Sequence, residues 1–595
     1  MSDESVSRNH VRDLTRGDLP IILVAAVLQG WTLYALHLSI DHSAWPATSP
    51  GALLALYANA VFVPLTVQML ARFVRPPLMW AMVAALVAFY LVVGWHYGTW
   101  IVDAPLERFP DRIFEPALVV GLLWLLVMPF LQARLIEGRW RSRYELLFSN
   151  AWNNKLVLAE AVVFTGIFWL MLVLWAQLFS MLRIRFFADL FAEPIFIYPV
   201  TSIVFGVALK LIGSLERLTS IVLEQALNVL KWLALLAGVI LALFTVPLVV
   251  ELPGMISSGE RAIAAVWLLW LVAVAVLLVN AAYRDGSIAN PYPRAIGFAL
   301  RCVIPLTVIV ALVAVYALWL RIETHGLTAA RFWACVVAGA AVLYSVGYAS
   351  AARRGGHWMR SIAAVNVVTA LYLIAVLVLA LTPVLSPYRL AADSQLAMVL
   401  ADPGGTTAEP EYYYRASASP TTYLRFQAGK YGRDRLEQLS RIENHPRAED
   451  IRREAKAALE RKNPWEPARS DSATFLASIV TQPSGRTLDP QLAELADAER
   501  LHSPYWNDGK NMAGLFVDLN HDGTEEFVLM TQNFAVVFSR AGSGWRRVEQ
   551  MSIYRSESRD DVVARVGAGD FRVESSQWDD LVVGGRRYRL LPGAQ

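Results

Sequence analysis

Between residues 20 and 383 the chain is a succession of apolar runs, each roughly 20 residues long, with Lys and Arg gathered in the connections. A run of that length crosses about 30 Å of hydrocarbon as a helix, which satisfies its own backbone there. The stretch from Asn150 to Gly213 shows the pattern in full. It reads N-A-W-N-N-K, an apolar run to Phe179, an amphipathic piece, then E-P-I-F-I-Y-P-V-T-S and a second apolar run. Composition agrees. Of 595 residues, 17% are charged and 56% hydrophobic, against about 25% charged in a soluble domain. The deficit falls in residues 20–383, and residues 384–595 have ordinary soluble composition.

The spacing predicts eleven spans, at about 20–39, 51–71, 78–97, 115–133, 156–178, 195–213, 230–251, 262–281, 296–319, 330–350 and 361–383. Basic residues set their orientation. The N-terminal tail carries Arg8, Arg12 and Arg16. Even connections carry Arg72 and Arg75, then Arg134, Arg139, Arg141, Arg143 and Lys155, then Lys210, Arg217 and Lys231. Later even connections carry Arg284 and Arg294, then Arg353, Arg354 and Arg360; alternate connections carry none to two each. The tail and even connections are thus expected in the cytoplasm, and the C-terminal region in the periplasm. The expected fold class is a polytopic α-helical membrane protein with a C-terminal extramembrane α+β region. It divides into a cytoplasmic tail (1–19), a transmembrane domain (20–383), a helical extracytoplasmic region (384–465) and a small β-rich extracytoplasmic domain (466–595).

Two connections read as interfacial helices. Met181 to Phe191 alternates Arg183, Arg185 and Asp189 with Phe186, Phe187 and other apolar residues. Leu215 to Lys231 places Glu216, Arg217, Glu224 and Gln225 on a wet side. Simple anchored loops are the plain reading and a gating segment the other. In the soluble region, residues 388–462 look helical until Asn463-Pro464-Trp465-Glu466-Pro467 breaks the pattern. From Gly514 onward short β-rich runs follow, with turns at Asp508-Gly509 and Gly542-Ser543-Gly544.

The net charge of +3 implies no nucleic-acid partner; the lipid bilayer is the expected one, with an envelope protein as a further partner of the external domain. Cys302 and Cys335 lie in apolar runs and suggest neither a disulfide framework nor a metal site. No removable signal pattern, H-E-x-x-H, G-x-S-x-G or nucleotide-binding glycine loop occurs. Ionisable and amide groups inside spans are functional candidates. Glu160, Asn59 and Asn366 are the leading ones, with helix bridging or snorkelling as the bland alternative. Gln68 and Gln177 read as helix bridges, and His96 as part of an aromatic belt with Trp95 and Tyr97. Outside the membrane, Asp518-Leu519-Asn520-His521-Asp522-Gly523-Thr524-Glu525-Glu526 follows D-x-N-x-D-G-x-x-E. Alternating oxygens from Asp518, Asn520, Asp522, Thr524 and Glu526 suit calcium. Leu529 stands where an EF-hand has glutamate, so the loop looks more like those between strands of extracellular repeats. The metal-free alternative is an Asx-rich turn.

Several short motifs, spread over most of residues 20–400, resemble a family of bacterial inner-membrane proteins catalogued as domain of unknown function 4153. They are Trp45-Pro46-Ala47-Thr48, Asn150-Ala151-Trp152-Asn153-Asn154, and Phe191-Ala192-Glu193-Pro194 followed by Phe196-Ile197-Tyr198-Pro199-Val200-Thr201. Asn280-Ala281-Ala282-Tyr283-Arg284-Asp285-Gly286, Pro291-Tyr292-Pro293-Arg294 and Pro387-Tyr388-Arg389-Leu390 complete the set. The resemblance implies an inner-membrane protein and brings no established activity.

Three function classes fit: an envelope scaffold or sensor, a transporter or lipid-handling protein, and a membrane-embedded enzyme. The large external region and the scarcity of central charges favour the first. The topology has a direct check. Reporter fusions after Arg143, Arg217 and Arg354 are expected to report cytoplasm, and fusions after Thr48, Gly259 and Gln595 the outside. A cytoplasmic signal at Gln595 would mean the span count is off by one.

Overall fold

The computed structural model of the protein describes residues 18–101, 109–214, 216–258, 265–284, 291–353, 358–401, 419–461, 475–476, 479–502, 512–531, 534–542, 544–552, 562–573, 581–583 and 586–588. The N-terminal arginines, the Asn463–Pro467 break and the Asp508-Gly509 turn lie outside them. Among the described residues eleven helices are long and apolar enough to cross a membrane, one at each expected place. The chain is a multi-pass α-helical membrane protein. The first spanning helices are α1 (Asp18–Asp41), α2 (Pro50–Met69), α3 (Pro77–Ile101), α4 (Phe109–Glu137) and α5 (Tyr144–Met181). After the short α6 (Phe186–Ala192) come α7 (Pro194–Ser214), α8 (Glu216–Ser258), α9 (Ala265–Tyr283), α10 (Arg294–Val303) with α11 (Leu306–His325), α12 (Ala329–Ala352) and α13 (Trp358–Ala380). Helices α10 and α11 form one span interrupted at Ile304-Pro305, where proline removes a backbone donor.

Two elements differ from the expected outline. Helix α5 starts at Tyr144, because its buried positions Leu147, Asn154, Val157, Ala161 and Thr165 keep a single helical stripe through N-A-W-N-N-K. At about 1.5 Å per residue its 38 residues outrun the hydrocarbon, so one end stands beyond it. The segment expected as a separate surface helix is instead, from Glu216 to Lys231, continuous with the next span in α8, 43 residues long. No Gly or Pro between Glu216 and Lys231 breaks it. The other interfacial segment is the seven-residue α6. Arg183, at φ 64°, ends α5, and the Ile184 N–H reaches back to the Phe179 carbonyl. Phe187 then packs on Trp175 and Phe179 at 5.2 and 4.6 Å, while Phe186 points away from the protein.

Apolar residues gather in several clusters in the membrane unit. The two largest centre on Leu53, Tyr90 and Leu123 among the early helices, and on Val272, Val310 and Ala338 among the later ones. Close helix pairs use small residues. A Cβ on Gly98 would meet the Gly51 backbone and one on Gly94 would meet Ala55, which brings α2 and α3 nearly into backbone contact.

Contacts divide the chain into two compact units, Met1–Thr406 with Tyr423–Arg435, and Thr407–Thr422 with Leu436–Gln595. The helical region after the last span is therefore shared between them. Helix α14 (Pro387–Ala401) belongs to the first unit, with the Gln395 amide donating to the carbonyls of His325 and Leu327 at 3.0 and 2.9 Å. In the same unit the Trp100 indole donates to the Ala428 carbonyl at 2.7 Å. Helices α15 (Pro420–Phe426) and α16 (Gly429–Leu439) follow, then α17 (Ala448–Glu460) in the second unit.

The second unit is built on a five-stranded sheet. Its strands β1 (Val480–Gln482), β2 (Ala513–Val517), β3 (Glu526–Met530), β4 (Phe534–Ala541) and β5 (Gly544–Ser552) lie in sequence order. The β1–β2 pair is parallel and the others antiparallel. Helix α18 (Pro490–His502) covers one face, over Phe516, Phe527 and Phe538; α19 (Val562–Gly567) covers the other, over Leu515, Val528 and Val537. Burial on both faces explains the continuous apolar runs of β2 and β3. Gly514 leaves the room that the Phe527 ring fills. Strands β6 (Leu581–Val583) and β7 (Arg586–Tyr588) form a small hairpin.

Candidate functional site

The most connected polar cluster in the membrane unit joins four helices around Tyr348 of α12. The Tyr348 hydroxyl is within donating distance of Asn280 Oδ1 on α9 and Asn366 Oδ1 on α13, at 2.8 and 2.7 Å. It has one proton for the two acceptors, so it shares it between them. The Asn366 amide donates to the Tyr144 hydroxyl on α5 at 2.6 Å and to Asn280 Oδ1 at 2.8 Å. Tyr348 is fully buried, with Tyr344 edge-on at 5.8 Å. A small cavity beside it is lined by apolar side chains apart from Thr307 and Tyr348.

Of the three intramembrane candidates, only Asn366 enters this network. Asn59 donates to the Ala55 carbonyl of its own helix at 2.8 Å, and its buried Oδ1 has no partner. Glu160 is half-buried on α5, outside these bonds. The three do not form one site. Two further amide pairs bridge helices. Gln132 and Asn154 exchange hydrogen bonds at 3.0 and 2.9 Å between α4 and α5. Gln68 donates to Gln29 Oε1 at 3.1 Å between α2 and α1. His96 is buried, unlike its exposed neighbour Trp95, so it is not part of a lipid-facing belt.

A junction of α4, α12 and α14 was not legible as a site. The Glu115 carboxylate accepts from the Trp333 indole at 2.5 Å and from the Tyr388 hydroxyl. Burial, and then the Glu115 charge, push Tyr388 far above the ordinary phenol value, so it stays a donor. Its ring lies on Trp100 at 3.8 Å. Glu115 stands at the start of an expected span, where a carboxylate reads as a boundary residue. Only the fold brings Trp333 and Tyr388 to it.

In the second unit the strands flanking the Asp518 loop pair as expected, from Ala513↔Met530 to Val517↔Glu526. The loop is held as a network of Asx-type turns. Asn520 Oδ1 accepts from the Asp522 N–H at 2.9 Å, and Asp518 Oδ2 from the Gly523 N–H at 3.0 Å. Asp522 Oδ1 accepts from the Thr524 N–H at 2.8 Å and from the Thr524 hydroxyl. The Thr524 hydroxyl and N–H, then the Asn520 amide, hold the Asp522 carboxyl below the usual carboxylate range. Buried Glu526 accepts from the Leu519 N–H, the Asn520 amide and Ser539 at 2.9, 3.1 and 3.3 Å. Asp518 Oδ1 is buried without a partner. Among the described residues no group of three or more His, Cys, Asp or Glu is placed to hold a metal.

No family model, curated protein or solved structure matches this chain. The Tyr348 network has a directly measurable role. Tyr348→Phe removes the shared donor and is expected to cost about 0.6 kcal/mol of stability, the average for hydrogen bonds between membrane helices, and at most about 1.7 kcal/mol. Unfolding of the purified chain in a detergent–denaturant series measures it. Tyr344→Phe is the control, and equal stability of Tyr348→Phe and wild type would show the network carries no net energy.

Proposed function

We propose that the chain is an envelope scaffold or sensor whose membrane helices anchor an extramembrane binding domain. The observation that carries this reading is the use of buried polar groups in the membrane unit. Gln29–Gln68, Gln132–Asn154 and Asn280–Tyr348–Asn366–Tyr144 bond to one another across helices. A transporter would turn such groups toward a polar path, and an enzyme would gather carboxylates or histidines at one membrane face. The second unit has its own covered sheet, the build of an independent binding domain. Placement in a bacterial inner membrane, a periplasmic C-terminus and membership of the domain of unknown function 4153 family belong to the same proposal. The test is in-cell photo-crosslinking from exposed Leu519 and Val548 in the full-length chain. One discrete envelope protein, captured reproducibly and co-purifying with the chain, is the expected result; capture of lipid alone from both positions would refute the reading.

Calcium at the Asp518 loop is a second part of the proposal. The Asn520 amide nitrogen stands 2.9 Å from Asp522 Oδ2 and 3.1 Å from Glu526 Oε1, a donor between two carboxylates where a cation would sit. The partnerless Asp518 Oδ1 supports a ligand role. Binding requires Asn520 to turn its oxygen inward, with Asp518, Asp522, the Thr524 carbonyl and Glu526 completing the set. Extracellular calcium modules bind at roughly 10⁻⁴–10⁻³ M. Calcium at about 10 mM then stabilises by at least about 1.4 kcal/mol. Thermal melting of the full-length chain in calcium, magnesium or chelator is expected to show a calcium-specific rise that Asp522→Ala abolishes. Equal midpoints in calcium and chelator would leave only the hydrogen-bonded turn.

A further inference from the structure

We infer that a notch between α8 and α9 binds the phosphate of an anionic phospholipid headgroup. The polar lining of the notch consists of Lys231 and Asn228 from α8 and Arg284 at the end of α9. Among the described residues no carboxylate lines it, and two cations from different helices face one space. Ala281 and Ala282 form the floor on the α9 side, and their small side chains leave the room.

The backbone of Arg284 and the ammonium of Lys231 are each positioned. Arg284 adopts φ 54°, a conformation rare for side-chain-bearing residues, and its N–H closes on the Asn280 carbonyl at 2.8 Å. This ends α9 where its arginine lines the notch. The Lys231 ammonium lies 5.4 Å from the Trp232 ring centroid and 5.3 Å from that of Tyr292. Ring faces attract an ammonium without cancelling its charge. The Tyr292 hydroxyl donates to the Lys231 carbonyl at 2.5 Å, tying that ring to α8.

Trp232 also indicates the depth. Exposed Trp232 marks it, with its ring centroid 6.5 Å from that of buried Tyr292. Trp and Tyr gather at headgroup level. The anion abundant at that depth is the lipid phosphate, and basic pockets between spanning helices recognise it. A guanidinium offers paired N–H donors to a phosphate and Lys a mobile charge. The inference is independent of the scaffold reading.

The experiment is native mass spectrometry of the full-length chain in mild detergent, titrated with dioleoyl phosphatidylglycerol, with dioleoyl phosphatidylcholine, or with inorganic phosphate as competitor. Wild type is expected to retain phosphatidylglycerol in preference to phosphatidylcholine. At about fivefold per basic residue, Lys231→Gln with Arg284→Gln loses roughly 25-fold in affinity and each single change about fivefold. Exposed Arg353→Gln, which removes the same charge elsewhere, leaves affinity within about twofold of wild type. Circular dichroism confirms folding, and the single variants decide if the double variant aggregates. Unchanged phosphatidylglycerol affinity in folded variants, or an equal loss in Arg353→Gln, would overturn the site. Full displacement by millimolar inorganic phosphate would overturn the lipid as its source.

Discussion

In hydrocarbon the burial of apolar side chains does not draw helices together, because the lipid tails are equally apolar. Close contact and polar links must decide which helices are neighbours, and the membrane unit depends on both. Gly98 meets Gly51 and Gly94 meets Ala55 between α3 and α2. Gly30 meets Pro199, and Gly206 meets Ala26, between α1 and α7. These positions let backbones approach far enough for dispersion to act along a whole helix face. A side chain at any of them would push two helices apart.

The polar links add direction. Asn154, Asn280 and Tyr388 each belong to a short motif that stood out in the sequence, and each bonds to a different helix. Thr201, in a further such motif, accepts from the Trp169 indole at 3.0 Å. Motifs that look like candidate chemistry are thus in large part the joints of the bundle. Helix α5 shows the opposite regime. Little of it is buried against the protein, and Ile167, Leu170, Met171 and Leu174 stand exposed, as suits a helix whose other neighbour is lipid. Its polar fixed points include Asn154, Tyr144 and Trp169, which hold it to α4, to the Tyr348 network and to α7.

The second unit obeys water-driven rules. Its sheet has two apolar faces, and each needs a cover. Helices α18 and α19 supply them, and the α18 N-terminus is fastened by Asp489. That carboxylate accepts from the Leu492 N–H at 2.9 Å and from the Trp545 indole at 2.6 Å. Burial works against its charge, and these donors with Arg540 nonetheless hold it below the usual range. The Asp518 loop joins β2 to β3 at the end of their paired registers, so its turn geometry is set by that hairpin.

The sequence by itself determined the membrane class, the eleven spans and the strand runs of the second unit. Each of these depends on local quantities: run length against bilayer thickness, and side-chain periodicity along one segment. It also marked Asn366, Asn59, Glu160 and the Asp518 loop as polar groups needing an explanation. Tertiary structure alone decided that Asn366 joins Tyr348 while Asn59 and Glu160 do not. The same holds for Glu115 meeting Trp333 and Tyr388, and for Lys231 and Arg284 sharing one notch. Those partners are separated by tens to hundreds of residues. The reason is physical. An apolar run states that a helix crosses the membrane, but every apolar face is equally content with lipid. Which helix it touches is settled by the fit of small residues and by a few hydrogen bonds in three dimensions.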